Sequence, residues 1–288
     1  MTRTKATAVG FVAVLLWALL ALLTVGTAPV PPFQLNAVCF AIGGGIGLIY
    51  TAATGGFPLL MRQPLKVYAF GTAGLFGYHF LYFSALRLAP AAEASLIAYL
   101  WPLFIVLLSG LLPGERLRPL HIIGGLVGFA GAAIIVAGKG VDFASDAITG
   151  YALALLCAFT WSIYSVGSRG FGEVPTAVVT VFCLATAALS VPAHLMWETT
   201  VWPTASIGWL SMVALGLGPV GLAFYVWDYG VKRGDIQFLG VSSYAAPLIS
   251  TGAMVAAGMA ALSGTLILAA VLITAGAALA ATASARGS

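Results

Sequence analysis

The side chains able to do chemistry in this sequence are few, and most are aromatic. His79 stands beside Tyr78, with Tyr82 and Phe83 one turn further on. At helical spacing Tyr78, His79 and Tyr82 share one arc of about 100°. Trp17 and Trp161 each fall in the middle of a long apolar run, and Tyr99-Leu100-Trp101-Pro102 and Ser243-Tyr244, followed by Pro247, complete the set. Such rings hold a ligand by stacking, by cation–π attraction to an ammonium group, and by hydrogen bonds from indole N–H and phenol O–H. They are binding groups, and the residues of bond-making chemistry do not accompany them. The nearest string to a nucleophile elbow, Gly167-Ser168-Arg169-Gly170, has the wrong spacing. The 3 histidines are scattered and give no metal cluster. Cys39, Cys157 and Cys183 form no CxxC pair, and there is no GxxxxGK[ST] loop to hydrolyse a nucleotide. The expectation is a binding protein that is not an enzyme and uses no cofactor or metal.

The elements that position these rings follow from composition. The chain has 288 residues, 61% hydrophobic and 7% charged, where a soluble domain carries about 25% charge. That much apolar surface does not fit inside one water-soluble core, and it excludes disorder. The net charge of +4 is scattered, with no basic run to track phosphates, so nucleic acid is not a partner. About 20 apolar residues cross a bilayer as a helix. Ten stretches qualify, over 7–27, 34–54, 66–87, 92–112, 120–138, 150–169, 176–196, 206–228, 236–258 and 264–283. The sequence therefore predicts an all-α polytopic membrane protein in a lipid bilayer, without a soluble domain. The first stretch is too long for a signal-peptide core and more spans follow it, so it reads as a retained helix.

Charge fixes the orientation. With a cytoplasmic N-terminus, Arg3, Lys5, Arg62, Lys66, Arg116, Arg118, Arg169, Lys232, Arg233 and Arg286 fall inside, and only Arg87 and Lys139 outside. This satisfies the positive-inside rule with both termini cytoplasmic.

The halves echo each other. Trp17 and Trp161 are 144 apart, as are Cys39 and Cys183; Arg87 and Lys232, Tyr99 and Tyr244, and Pro102 and Pro247 are 145 apart. Five helices per half is an odd number, so a duplicated second half sits upside down. The division is 1–140 and 141–288, two inverted five-helix repeats, an arrangement that places a transport site at the midplane between them.

On these residues the chain resembles the drug/metabolite transporter superfamily in its ten-helix EamA-type branch. The resemblance rests on Trp101-Pro102-Leu103 leading to Pro113-Gly114-Glu115-Arg116, and on Ala158-Phe159-Thr160-Trp161-Ser162-Ile163-Tyr164. It spans the whole chain and is greatest toward the bacterial aromatic amino acid exporters, through Trp17, Tyr78-His79, Tyr99-Leu100-Trp101-Pro102 and Trp161. Trp17-Ala18-Leu19 departs from the Trp-Gly of many relatives, and Ala260 stands where a repeat of Glu115 would fall. The resemblance implies export of aromatic and other neutral amino acids through the inner membrane. A wider exporter of small metabolites or amines is the alternative.

The candidate substrate-binding residues are Trp17, Tyr78, His79, Tyr82, Tyr99, Trp101, Trp161, Ser243 and Tyr244. Pro102 and Pro247 are candidate hinges, since each removes a backbone donor inside a span and crowds the carbonyl four residues back. On an ideal helix Trp101 points about 200° away from Tyr99, so it joins the wall only if Pro102 distorts the turn. For each ring the competing reading is packing between helices. The hydroxyls of Ser165, Ser168, Ser242 and Ser243 either bind a carboxylate or bond back to helix carbonyls. Gly43, Gly47, Gly124, Gly128 and Gly131 form small-residue faces, which puts the fifth helix at the periphery or at a dimer contact and leaves monomer and homodimer open. Arg87 is expected to pair with Glu93. Glu93, Glu198 and Asp228 all fall near span ends, so no deep carboxylate is available to carry a coupling ion. The prediction is facilitated flux: purified protein in liposomes supports net substrate movement without a pH gradient, and a strict requirement for one would contradict it.

Overall fold

The computed structural model describes residues 2–137, 143, 145–256 and 261–285. Lys139, Ala260 and Arg286 lie outside them. Long apolar segments here become helices because a backbone in hydrocarbon must satisfy its own hydrogen bonds. They are α1 (Arg3–Gly26), α2 (Pro32–Ala53), α3 (Leu65–Leu88), α4 (Ala91–Ser109), α5 (Pro119–Ala137), α6 (Ser145–Gly170), α7 (Thr176–Trp197), α8 (Ser206–Arg233), α9 (Ile236–Ala256) and α10 (Gly264–Ala285). Among the described residues there is no strand. Nine of these helices are long and apolar enough to cross a membrane. The other, α3, has 24 residues but carries Lys66, Arg87 and the Tyr78-His79-Tyr82 wall.

The most extensive helix pairs are α1 with α8, α2 with α7, α3 with α6, α5 with α10 and α4 with α6, and α4 also packs on α9. Both described ends of the chain meet at one end of the bundle, where Arg3, Ser284 and Ala285 line the same groove. This terminal end is laced by charge. Arg3 reaches Glu115 at 3.1 Å, Arg169 also holds Glu115, and Arg169 donates to the carbonyls of Val231 and Gly234 at 2.8 and 2.9 Å. Gly114, at φ 82°, makes the turn after α4 that presents Glu115. Glu115 thus serves an end cluster.

The opposite end is tied by Glu198. Its carboxylate accepts the N–H groups of Phe33 and Gln34 at the start of α2, at 2.9 and 3.0 Å, and pairs with Arg87 at 2.9 Å. These amides are unpaired by the helix itself, and an anion there also meets the positive end of the helix dipole. The expected partner of Arg87, Glu93, is replaced by Glu198; Glu93 is buried in the first turn of α4.

Two more expectations are corrected. Span 206–228 runs on to Arg233, because Asp228 and Lys232 sit one turn apart, 2.9 Å from each other, and neutralise one another inside the protein. The glycine face of α5 is also spent within the chain. A Cβ on Gly124 would stand 2.6 Å from the carbonyl oxygen of Gly276 in α10, and one on Gly128 would meet the Tyr244 ring at 2.7 Å. Close helix approach of this kind depends on absent side chains. Gly276→Leu should therefore cost about 1–3 kcal/mol by overpacking and lower the thermal unfolding midpoint in detergent by several degrees. Gly252→Ala, which meets nothing within 4 Å, should leave the midpoint unchanged.

Candidate functional site

Three helices break or bulge at mid-depth. In α4 the helix stops at Ala98 and restarts at Trp101. In α9 it stops at Ser242 and restarts at Ala245. In α8 a π-turn over Gly218–Leu222 interrupts the regular ladder. Pro102 is the second residue of its restarted half-helix, and Pro247 the third residue of the other. At those positions the missing N–H has no intrahelical partner to lose. The prolines therefore begin new half-helices and do not kink continuous ones.

Around these breaks lies a cavity of about 150 Å³. Trp17, Tyr78, His79, Tyr82, Tyr99, Trp101 and Trp161 all line it. The two-residue gap after Ala98 rotates the next turn, and so Trp101 reaches the wall that an ideal helix would deny it. Ser95, Pro219, Phe224 and Ala246 complete the polar edge and the facing side. No lining residue is charged.

The floor is made of indoles. Trp17 meets Trp161 at 5.7 Å and Trp101 at 6.0 Å, both edge to face, and Trp227 backs them at 5.1 Å from Trp17. Edge-to-face rings are mutually attractive and leave one π-face free for a ligand. Each buried indole N–H needs a partner. Trp17 donates to the carbonyl of Pro219 at 3.2 Å, inside the π-turn, and Trp227 donates to Ser165 at 3.0 Å. On the opposite wall the rings of Tyr78 and Tyr82 stack 6.1 Å apart, and the Tyr82 hydroxyl bonds to Ser95 at 3.0 Å. His79 packs edge-on to Phe40 at 4.9 Å. Its Nδ1 lies 2.8 Å from the carbonyl oxygen of Leu75. A carbonyl only accepts, so Nδ1 carries the proton, and Nε2 of the neutral ring is left as an acceptor.

Ser243 and Tyr244 do not join this wall. Ser243 donates back to the Leu239 carbonyl at 2.7 Å. The Tyr244 hydroxyl accepts the Leu103 N–H at 3.2 Å, one of the amides exposed by the break in α4. Ser162 of α6 donates to the Trp101 carbonyl at 2.9 Å. Tyr244 thus caps the restarted half-helix from outside the cavity, and Ser162 ties α6 to its first residue.

The sequence profile of the EamA-like transporter family matches twice, over residues 4–137 and 148–282. The chain belongs to the EamA-like transporter family. Among curated relatives, the aromatic amino acid exporter YddG of Ancylobacter novellus is 56% identical over 268 residues, covering 92% of this chain and 93% of that one. The protein of the same name from Salmonella typhimurium is 27% identical over 269 residues, covering 87% and 88%. A crystal structure of a protein 56% identical in sequence matches 98% of each chain with a TM-score of 0.94. This EamA-family chain is a transporter, not an enzyme, and is a multi-pass membrane protein.

Within this EamA fold, sequence reasoning missed Pro219, Phe224, Trp227 and the Asp228–Lys232 pair. The signal for the first was the string Gly218-Pro219-Val220-Gly221 in mid-span; once the π-turn is placed there, Phe224 and Trp227 follow on one face. If the cavity is the binding site, removing a floor ring and removing a repair group should differ. Trp161→Ala should weaken ligand binding at least tenfold, the loss of about 1.5 kcal/mol of ring contact. Tyr244→Phe should cost about 1 kcal/mol of stability, the worth of one hydrogen bond, and leave affinity within twofold. Titration calorimetry and thermal unfolding separate the two.

Proposed function

We propose that this chain exports aromatic and other neutral amino acids through the cell inner membrane by alternating access. The observation that carries the reading is an uncharged, ring-lined cavity at the junction of broken helices. A zwitterionic amino acid suits it. Half-helices begin at Trp101 and at Ala245, so two positive dipole ends face the cavity where a carboxylate would lie. Nε2 of His79 and the indole faces suit the ammonium group. The side chain would stack against Trp17, Trp161 and Tyr78. Ligand pockets for drug-sized molecules run to roughly 300–1,000 Å³; at about 150 Å³ this cavity favours a compact ligand. The name of the relative in Ancylobacter novellus agrees with that choice.

The reading includes ten membrane helices in two inverted repeats, 1–140 and 141–288. An even number of crossings is supported by the meeting of the two chain ends, which makes α3 a span beside the nine apolar ones. The twofold match of the family profile supports the repeats. So does the pairing pattern: exchanging each helix of the first five with its counterpart five later leaves the pairs α1–α8, α2–α7, α3–α6, α4–α9 and α5–α10 unchanged as a set. Arg3, Arg169, Lys232 and Arg233 share the terminal end, which makes it cytoplasmic under the positive-inside rule. The cavity then extends outward, since Leu20, Tyr82 and Ser95 line its far side while the indole floor closes it toward the cytoplasm. Pro102 and Pro247 would mark the points about which the half-helices swing.

A counterflow assay on reconstituted protein tests the reading. Liposomes loaded with tryptophan should accumulate labelled tryptophan and phenylalanine, and His79→Ala should reduce the rate at least tenfold. Equal exchange of small amines and nucleobases would favour the broader metabolite exporter. No exchange of any amino acid would refute the proposal.

A further inference from the structure

Below the indole floor, toward the terminal end, α6 and α8 face each other in a graded stack. On α6 the inward positions run Trp161, Tyr164, Ser165, Ser168; on α8 they run Phe224, Trp227, Asp228, Val231, Lys232. The upper members are aromatic and the lower ones polar. At the polar level Asp228 and Lys232 form a pair whose side chains are 1% and 3% exposed. Thr176 donates to Asp228 Oδ2 at 2.7 Å, and Lys232 donates to the Val174 carbonyl at 3.0 Å. Asp228 Oδ1, fully buried, has no protein hydrogen-bond partner. The pair borders a void of about 10 Å³ that Ser168 also lines, room for about one water.

A buried carboxylate oxygen without a partner is costly, and a purely structural pair would be expected to satisfy both oxygens. Here Oδ1 lacks a protein partner and borders a void with room for about one water. The pair also joins α8 to the connection between α6 and α7, through Val174 and Thr176. Opening the bundle at the terminal end parts these elements, and it would present an anion and a cation one helical turn apart to the incoming solution. Those are the complements of an amino acid's ammonium and carboxylate. The outer cavity has no charged lining residue, so its wall offers no such charged match.

We propose that Asp228 and Lys232 are a second substrate subsite, which captures the ammonium and carboxylate of an amino acid when the transporter opens to the cytoplasm and closes on itself as an internal ion pair when it opens outward. The proposal rests on the amino acid export reading above. In it the substrate displaces the internal pair on loading, moves past Trp227 to the indole floor, and leaves the pair to re-form behind it. A solute lacking both charged groups cannot break the pair, so selection for amino acids is made at the cytoplasmic face.

The test uses initial-rate transport of labelled tryptophan in everted vesicles, which present the cytoplasmic face, and in right-side-out vesicles. For the wild-type protein, tryptamine and indole-3-propionate, each missing one charged group, should show KM raised over tryptophan at least tenfold more in everted vesicles than in right-side-out ones. This measurement needs no variant. Lys232→Gln combined with Asp228→Asn should raise the tryptophan KM at least tenfold in everted vesicles only and leave tryptamine nearly unaffected. The exchanged pair, Asp228→Lys with Lys232→Asp, keeps a neutral buried couple and should recover part of the loss. Equal KM changes on both faces, or no preference of the wild-type cytoplasmic face for the intact zwitterion, would overturn the subsite and leave amino acid export standing. Absence of tryptophan flux in wild-type vesicles would overturn both.

Discussion

Everything at the centre of this bundle follows from the cost of leaving backbone amides and carbonyls unpaired in hydrocarbon. A helix that stops half-way across a membrane exposes N–H groups that lipid cannot satisfy. The protein stops α4 at Ala98 and α9 at Ser242, and each break is met by a side chain or a cavity. Tyr244 takes the Leu103 N–H, and Trp17 gives to the carbonyl of Pro219 in the π-turn. The side chains that mend the backbone also fix where the rings stand. A substitution at Tyr244 therefore acts on the cavity through the backbone, without touching whatever the cavity holds.

The same constraint explains why the two halves of the chain do different work. The cavity wall comes mostly from the first half, through Tyr78, His79, Tyr82, Ser95 and Tyr99. The polar stack beneath the floor comes from the second half, through Ser165, Ser168, Asp228 and Lys232. Two copies of one helical plan supply the scaffold, and divergence of side chains on matching helices makes one passage with distinct ends. Tyr99 and Tyr244 show the divergence most directly, since one faces the cavity and the other supports the helix carrying Trp101.

Helical periodicity made much of this legible. Tyr78, His79 and Tyr82 fall on one arc whatever the tertiary packing, and Trp17 and Trp161 lie mid-span by simple counting; all five line the cavity. Trp101 needed more, because its direction depends on how many residues the break near Pro102 leaves unwound, and a proline signals a break without giving its length. Tyr244 is the repeat counterpart of Tyr99, but matching positions do not impose matching surroundings, and a serine in a helix bonds its own backbone as readily as a ligand. Pro219 and Phe224 were hidden because a π-turn inserts a residue and shifts the phase of every later position in α8. Asp228 and Lys232 looked like the end of a span. Charge in a sequence reads as solvent contact, and only proximity reveals that two opposite charges one turn apart, 2.9 Å from each other, have replaced water.

On the amino acid export proposed above the substrate is a zwitterion, and its passage poses an electrostatic conflict that this distribution of charge resolves. Fixed ions in the central cavity would bind a zwitterion strongly, and in a low-dielectric site they would also release it slowly. Empty, such a cavity would hold uncompensated charge in the membrane at every turnover. Dipoles and π-faces avoid both costs, because helix ends and indole rings attract the two charged groups while carrying no net charge of their own. The ionic residues stand at the ends of the path instead, paired with each other: Arg87 with Glu198 at one end, Lys232 with Asp228 below the floor, and Arg3 and Arg169 with Glu115 at the other. All of these pairs are formed at once in this structure, so the ionic residues are compensated at both ends and below the floor. Opening either end then costs the pairs that bridge it, and a cavity built from helix-end dipoles and π-faces adds no fixed charge to that cost.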